Sequence, residues 1–293
     1  VITRVVAFDE IDSTNAEARR RAEKGETGPL WLTAGVQTAG RGRRGRVWET
    51  ASGNLAATYL FTTSKPPAEA AQVSFVAALV AHDLAFHCAG ADPLPLARGE
   101  SLPPDWEDGL GADSTFASSS PSGGSDSRQR AVGGLHRPPS ITLKWPNDLL
   151  IDGRKAGGIL VESGQGAAGL WVAVGIGINL AVAPEPAPDA AIVPTSFRVE
   201  GVEPPTLIDA LSILDAAFQH WLTVWDTHGF SAIAAAWTHR AHGLGQICTA
   251  RLPAETVIGT AEGLDPDGAL RLRLDDGTVR RITAGDVFFS GAA

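Results

Sequence analysis

The residues with the most evident chemistry stand at 37–48, QTAGRGRRGRVW, where Gly40, Gly42 and Gly45 alternate with Arg41, Arg43, Arg44 and Arg46. Glycine lets a backbone come close to a ligand and turn its amide N–H groups inward. Each guanidinium presents a rigid fork of donors that fits carboxylate or phosphate oxygens. The stretch therefore predicts an anion-binding loop. A solvated charge run is the plain alternative, but such runs do not ordinarily carry a glycine at every second or third place. The glycines also satisfy G-x-G-x-x-G, yet a dinucleotide fingerprint must open a helix, and ETASGNLAATYLF at 49–61 reads as a turn followed by a strand. A P-loop is excluded, because no G-K-[ST] follows any glycine run.

The elements around the loop must deliver it and complete it. Residues 3–8 are β-branched and apolar enough for a strand, and DSTN at 12–15 supplies capping residues for a helix that ends at Gly25. Read from this segment alone, Ser13 or Thr14 is an N-cap. Residues 29–37 and 54–63 read as the strands entering and leaving the Arg/Gly loop, and apolar residues at helical spacing predict one long helix over 69–90. Between 92 and 139 the chain turns to Pro, Gly, Ser and charge, the signature of an inserted, mostly disordered loop. Order resumes with ITLKWPNDLLIDGRKAGGILVESG from 141, read as strand, Pro-containing turn, short strand, Asp-Gly hairpin turn and strand. LWVAVGIGINL at 170–180 suits a central strand, and Gly175 and Gly177 within it predict that something approaches the sheet closely. A helix follows to Gly229, then a short one over 230–239. From 243 onward β-type runs alternate with Asp-Gly turns at 267–268 and 276–277, which predicts a small all-β barrel. Strands and helices without regular βαβ alternation make the first domain α+β.

The bulk properties narrow the function. The chain has 293 residues, 44% of them hydrophobic, enough for one large domain and a smaller one. A formal net charge of −9 argues against broad phosphate-backbone binding and for a local anion site. A basic-then-apolar leader and an uninterrupted apolar run of membrane-spanning length are both missing, so the expectation is a cytoplasmic protein without a membrane partner. Cys88 and Cys248 have no Cys or His neighbour at metal spacing and are expected as reduced, buried thiols. His239 and His242 lack the further ligands that a metal site needs.

Taken in series, DSTN (12–15), QTAGRGRRGR-W (37–48), KWPNDLL (144–150), KAGGILVE (155–162) and GIGINL (175–180) resemble the biotin protein ligases in order and spacing. The resemblance spans nearly the whole chain except 92–139. It implies an α+β catalytic domain with a mixed β-sheet of the biotin/lipoate ligase type at 1–242 and an SH3-like barrel at 243–293. It also implies a two-step reaction, in which biotin and MgATP give biotinyl-5′-AMP and a lysine of a biotin carboxyl carrier domain, on acetyl-CoA carboxylase or a related carboxylase, then takes the biotinyl group. ATP and Mg²⁺ are thus the expected cofactors.

By the same resemblance Ser13, Thr14, Asn15 and Gln37 line the biotin head-group pocket, where hydroxyl and amide side chains match a ring that both donates and accepts hydrogen bonds. Gly40, Arg41, Gly42 and Arg43 fold over the bound acid, with Gly158 and Gly175 beside it. Lys155 holds the carboxylate and then the acyl phosphate, and the catalytic expectation rests on Lys155, Arg41 and Arg43. The ATP side comprises Arg43, Arg44, Trp48, Asn147 and Asn179. Asp148 is the candidate Mg²⁺ ligand or positions the attacking lysine, with turn capping as an equal alternative. Trp48 has a plain core role as its alternative. A lipoate or octanoate ligase is the nearest rival activity. A biotin-sensing regulator is the other rival, and its DNA-binding module is not expected in a chain that begins at the catalytic strand, so no DNA partner is expected. The assembly state, homodimer or monomer, stays open.

Overall fold

Side-chain alternation and β-branching near the N-terminus produce β1 (Arg4–Ile11), and Ser13 then caps α1 (Thr14–Glu23). The Ser13 hydroxyl accepts from the Ala16 N–H at 3.4 Å, so the N-cap expected of Ser13 or Thr14 falls to Ser13. The computed structural model describes residues 3–90, 138–186 and 192–289. The insertion expected at 92–139 lies outside these residues except for its last two.

β2 (Leu30–Gln37) and β3 (Leu55–Thr63) flank the Arg/Gly loop and pair antiparallel. β4 (Ile141–Lys144), β5 (Asp148–Ile151), β6 (Arg154–Gly166) and β7 (Gly169–Ile178) complete a mixed seven-stranded sheet of order β1-β2-β3-β7-β6-β5-β4. Only β1 and β2 are parallel. The apolar run at 170–180 is thus the middle strand, as its composition predicts. Its register decides the site. Ala56, Gly177 and Gly158 stand side by side across β3, β7 and β6, and Thr58, Gly175 and Leu160 form the next row.

The two sheet faces are filled differently. On one face Leu30, Leu32, Leu60 and Ala173 pack with Ala18 and Ala22 of α1. Residues of opposite parity point the other way, where Trp31 and Tyr59 pack edgewise and tilted with Phe218 of α4 (Leu207–His239) at ring-centroid distances of 5.7 and 4.4 Å. The single helix expected over 69–90 is instead α2 (Pro67–Ala70) and α3 (Val73–Cys88), separated by a turn whose N–H groups bond three residues back, Gln72 to Glu69 and Phe75 to Gln72. Tightened bonds of this kind break the helical row although the apolar spacing runs through. Pro67–Cys88 has the length and hydropathy of a membrane span. Its Val76, Leu79, Val80 and Leu84 are fully buried in this fold, which accounts for the apolarity. α4 carries the expected break at Gly229, where φ is 72°.

β8 (Ile247–Arg251), β9 (Thr256–Leu264), β10 (Leu270–Arg273), β11 (Val279–Ile282) and β12 (Asp286–Phe289) form a five-stranded antiparallel sheet of order β11-β10-β9-β8-β12. Its Asp-Gly turns place Gly268 and Gly277 at φ 88° and 82°. Trp145, buried as a core residue, joins the two sheets by donating its indole N–H to the Gly268 carbonyl at 3.1 Å. Both cysteines are free, and burial pushes both thiols up to about 11. Cys88 is only half-buried, because it lies at the last turn of α3.

Candidate active site

The Arg/Gly stretch is a small hairpin of its own. Arg41 and Val47 bridge antiparallel, the Gly42 N–H donates to the Arg46 carbonyl at 2.8 Å, and Trp48 donates to the Gly40 carbonyl at 2.9 Å. A 3₁₀ turn (Arg43–Gly45) forms its tip, with Arg44 at φ 56°. Gly40 is required by close approach: a Cβ there would lie 2.2 Å from the Trp48 carbonyl oxygen. The guanidiniums then diverge. Arg43 donates to Asn147 Oδ1 at 3.1 Å, whereas Arg44 and Arg46 both reach Asp286 at the start of β12, at 3.0 and 2.5 Å. Burial pulls the Arg43 guanidinium below its ordinary pKa, and the nearby Asp286 opposes that fall.

A cavity of about 500 Å³ runs from this loop across the α1 face of the sheet. One end is a chain of hydrogen bonds. The Thr14 N–H and hydroxyl approach Gln37 Oε1 at 2.8 and 3.1 Å, and Gln37 Nε2 donates to Thr50 at 3.0 Å. Asn15 is laid on Gly175, where a Cβ would come within 2.3 Å of Asn15 Oδ1. At the next row Trp48 lies on Gly177, where a Cβ would meet its ring at 2.4 Å. The close approach inferred from these two glycines is therefore made by an amide and an indole.

Lys155 lies further along β6, past the Gly158–Gly177 row. Its ammonium is 2.5 Å from Asp148 Oδ1 and 6.0 Å from the centre of the Trp48 ring. Lys144 holds the other carboxylate oxygen at 3.4 Å. Burial alone would raise the Asp148 carboxyl, but Lys155 and Lys144 outweigh it and hold the group below its usual range. Burial draws the Lys144 ammonium down, and Asp148 works against that. The result is a charged triad with both ammoniums at the cavity wall, Lys144 buried and Lys155 partly exposed.

Of the residues singled out by sequence, Ser13, Thr14, Asn15, Gln37, Arg41, Gly42, Arg43, Trp48, Asn147, Asp148, Lys155, Gly158, Gly175 and Asn179 all border this cavity. Gly40 and Arg44 do not. Gly40 is covered by the loop's own backbone, and Arg44 is drawn out to Asp286. Asn179 is buried and its Nδ2 donates to the Thr195 carbonyl at 2.9 Å. Lys144 and Asp286 also border the cavity and were missed. Lys144 sits inside the KWPNDLL motif and could have been taken from it. Asp286 lies at a strand start far from every motif, and no local signal marks it.

The acid groups do not form a metal cage. Among the described residues no group of three or more His, Cys, Asp or Glu is arranged to hold a metal ion. Both Asp148 oxygens face ammoniums, and Asp286 faces two guanidiniums. This donor set does not fit a resident, protein-held Mg²⁺, so Asp148 is better described as the anchor of Lys155. A magnesium ion carried on a nucleotide's own phosphates needs few protein ligands.

Known proteins resemble this chain over almost its whole length. Residues 7–179 match the biotin/lipoate A/B protein ligase family and residues 243–290 match the biotin protein ligase C-terminal domain. A biotin–[acetyl-CoA-carboxylase] ligase from Paracoccus denitrificans is 37% identical over 96% of this chain and 98% of its own length. The bifunctional ligase/repressor BirA of Bacillus subtilis is 25% identical over 97% of this chain and 73% of its own. A solved structure of the Aquifex aeolicus biotin protein ligase in complex with biotin and ATP superposes with a TM-score of 0.69 at 19% identity, covering 98% of this chain and 99% of that one.

Proposed function

The chain belongs to the biotin/lipoate A/B protein ligase family, and from that premise we propose that it is an ATP-dependent biotin–protein ligase acting on a biotin carboxyl carrier domain. The observation that carries the reading is the polar ring of Ser13, Thr14, Asn15 and Gln37, joined by one cavity to Lys155 and the Arg/Gly loop. A ureido ring both donates and accepts hydrogen bonds, and this end of the cavity offers both capacities. The dithiolane of lipoate and the alkyl end of octanoate offer neither, so they would leave buried polar groups unpaired.

In the first step a biotin carboxylate oxygen forms a bond to the α-phosphorus of ATP and the bond from that phosphorus to the bridging oxygen breaks, releasing pyrophosphate. Two like charges about 4 Å apart repel by about 4 kcal/mol at an effective dielectric of about 20. Lys155, tethered by Asp148 at the cavity wall, would offset that repulsion, and Arg41 and Arg43 would add charge from the loop side. In the second step the carrier lysine's neutral amine attacks the acyl carbon, the acyl C–O bond breaks, AMP leaves and the amine gives up a proton. The Trp48 ring over Gly177 gives the adenylate an aromatic surface, and Asn179 Oδ1 would accept from the adenine amine. Magnesium enters with ATP as part of the substrate.

ATP–pyrophosphate exchange tests the activity: biotin-dependent exchange is expected, and exchange driven by lipoate or octanoate instead would transfer the assignment to the rival activity.

A further inference from the structure

The head-group end of the cavity is governed by two residues that do not border it. We infer that Glu162 and Thr58 are positioning residues that set the donor and acceptor polarity of the pocket through Asn15, and so determine its preference for a head group carrying N–H. The inference rests on the biotin assignment.

Asn15 lies across Gly175 between two strands. On the β6 side its Nδ2 donates to the Glu162 carboxylate at 2.9 Å and to the Leu160 carbonyl at 3.3 Å. On the β3 side its Oδ1 accepts from the Thr58 hydroxyl at 2.7 Å. A flipped amide would direct its oxygen at the carboxylate and the Leu160 carbonyl, two groups that only accept. The carboxylate therefore fixes which end of the amide faces β3.

That orientation propagates. The fully buried Thr58 hydroxyl has one proton, and both Asn15 Oδ1 and Thr14 Oγ1, at 2.8 Å, are within reach. With Oδ1 presented to it, Thr58 donates to Asn15, and the Thr14 hydroxyl keeps its own proton for Gln37 Oε1 at 3.1 Å. The Thr14 N–H is committed to Gln37 Oε1, which turns Gln37 Nε2 toward Thr50. Both protons on Asn15 Nδ2 are spoken for, so the capacity this amide retains toward the cavity is acceptance at Oδ1. A ligand N–H meets it; a ring without N–H leaves it unpaired. Of the two amide orientations, only the one with Nδ2 toward β6 gives the Glu162 carboxylate and the Leu160 carbonyl a donor.

The register makes the device possible. Thr58, Gly175 and Leu160 are in one row across three strands, and Glu162 is two residues further along β6 on the same face. Only a missing side chain at the middle of the row leaves room for the amide to span it.

The test is biotin affinity by titration calorimetry, with thermal melting alongside, for the parent, Glu162→Leu, Glu162→Gln, Thr58→Val and Thr58→Ser. Glu162→Leu and Thr58→Val should each weaken biotin binding about tenfold or more while KM for MgATP stays near the parent value. Glu162→Gln and Thr58→Ser, which keep an acceptor and a hydroxyl, should restore most of it. A parent that fails to bind biotin overturns the assignment of function and this inference with it. A parent that binds biotin while Glu162→Leu and Thr58→Val bind equally well overturns this inference alone. If one apolar variant does not fold, the other, together with the two conservative variants, still decides.

Discussion

Replacing Lys155 by alanine removes the more exposed of the two ammoniums that the charged triad brings to the cavity wall. A charge positioned on the reacting centre contributes about 2–4 kcal/mol to the transition state, which is about 30-fold to 1,000-fold in rate. The structure also sets the cost in stability. Breaking a buried ion pair outright costs about 3–5 kcal/mol because a lone charge is left behind. Here Asp148 keeps Lys144 at 3.4 Å, so the loss should be well below that range. Lys155→Arg separates the two effects, since a planar guanidinium preserves the charge but cannot place it as a point 2.5 Å from Asp148. We expect Lys155→Arg to recover the stability and little of the rate. The assay is biotin-dependent ATP–pyrophosphate exchange on protein of verified folded fraction. Exchange by Lys155→Ala within about threefold of the parent, or a loss no greater than the loss of folded protein, would refute the role assigned to Lys155.

Three further outcomes follow from the geometry. Gly177→Ala should expel the Trp48 ring and raise KM for MgATP, whereas Gly175→Ala should expel the Asn15 amide and weaken biotin binding; the reverse assignment in steady-state kinetics would contradict the two-row description. Asp286→Asn should release Arg44 and Arg46, so limited trypsin digestion without ligand should cut at residues 44–46 faster than in the parent, with biotin and ATP slowing both; equal cutting rates would show that Asp286 does not hold the loop. The hydrogen bond from Arg20 holds the Asp12 carboxyl down to about 2, a depressed value, so its stabilising contribution is present above the unfolded pKa of about 4 and is lost as pH falls through about 2. Arg20→Gln should therefore melt below the parent at neutral pH, and the difference should close in strong acid; a gap that persists near pH 2 would point to packing instead.

Much of this was legible in the chain because it is local. The Asp-Gly turns, the hairpin after Ile151 and the break at Gly229 are written in adjacent residues, and each is where turn chemistry places it. The glycines of β7 announced a close approach but not what approaches, since Asn15 and Trp48 come from parts of the chain more than a hundred residues earlier. The sheet order that sets β7 between β3 and β6 is likewise a long-range pairing with no local mark. Asp286 escaped for the same reason, since it acts by reaching the Arg/Gly loop, whereas Glu162 closes the KAGGILVE motif and only its reach to the first turn of α1 is without a local mark. The break between α2 and α3 was hidden because apolar spacing continues across it while the hydrogen bonds shorten.

The central claim is that one cavity activates biotin at the expense of ATP. The most direct measurement is ATP–pyrophosphate exchange with biotin, lipoate and octanoate presented side by side to the same protein. Exchange with biotin and none above background with the other two is the predicted result; exchange with lipoate or octanoate and not with biotin contradicts it.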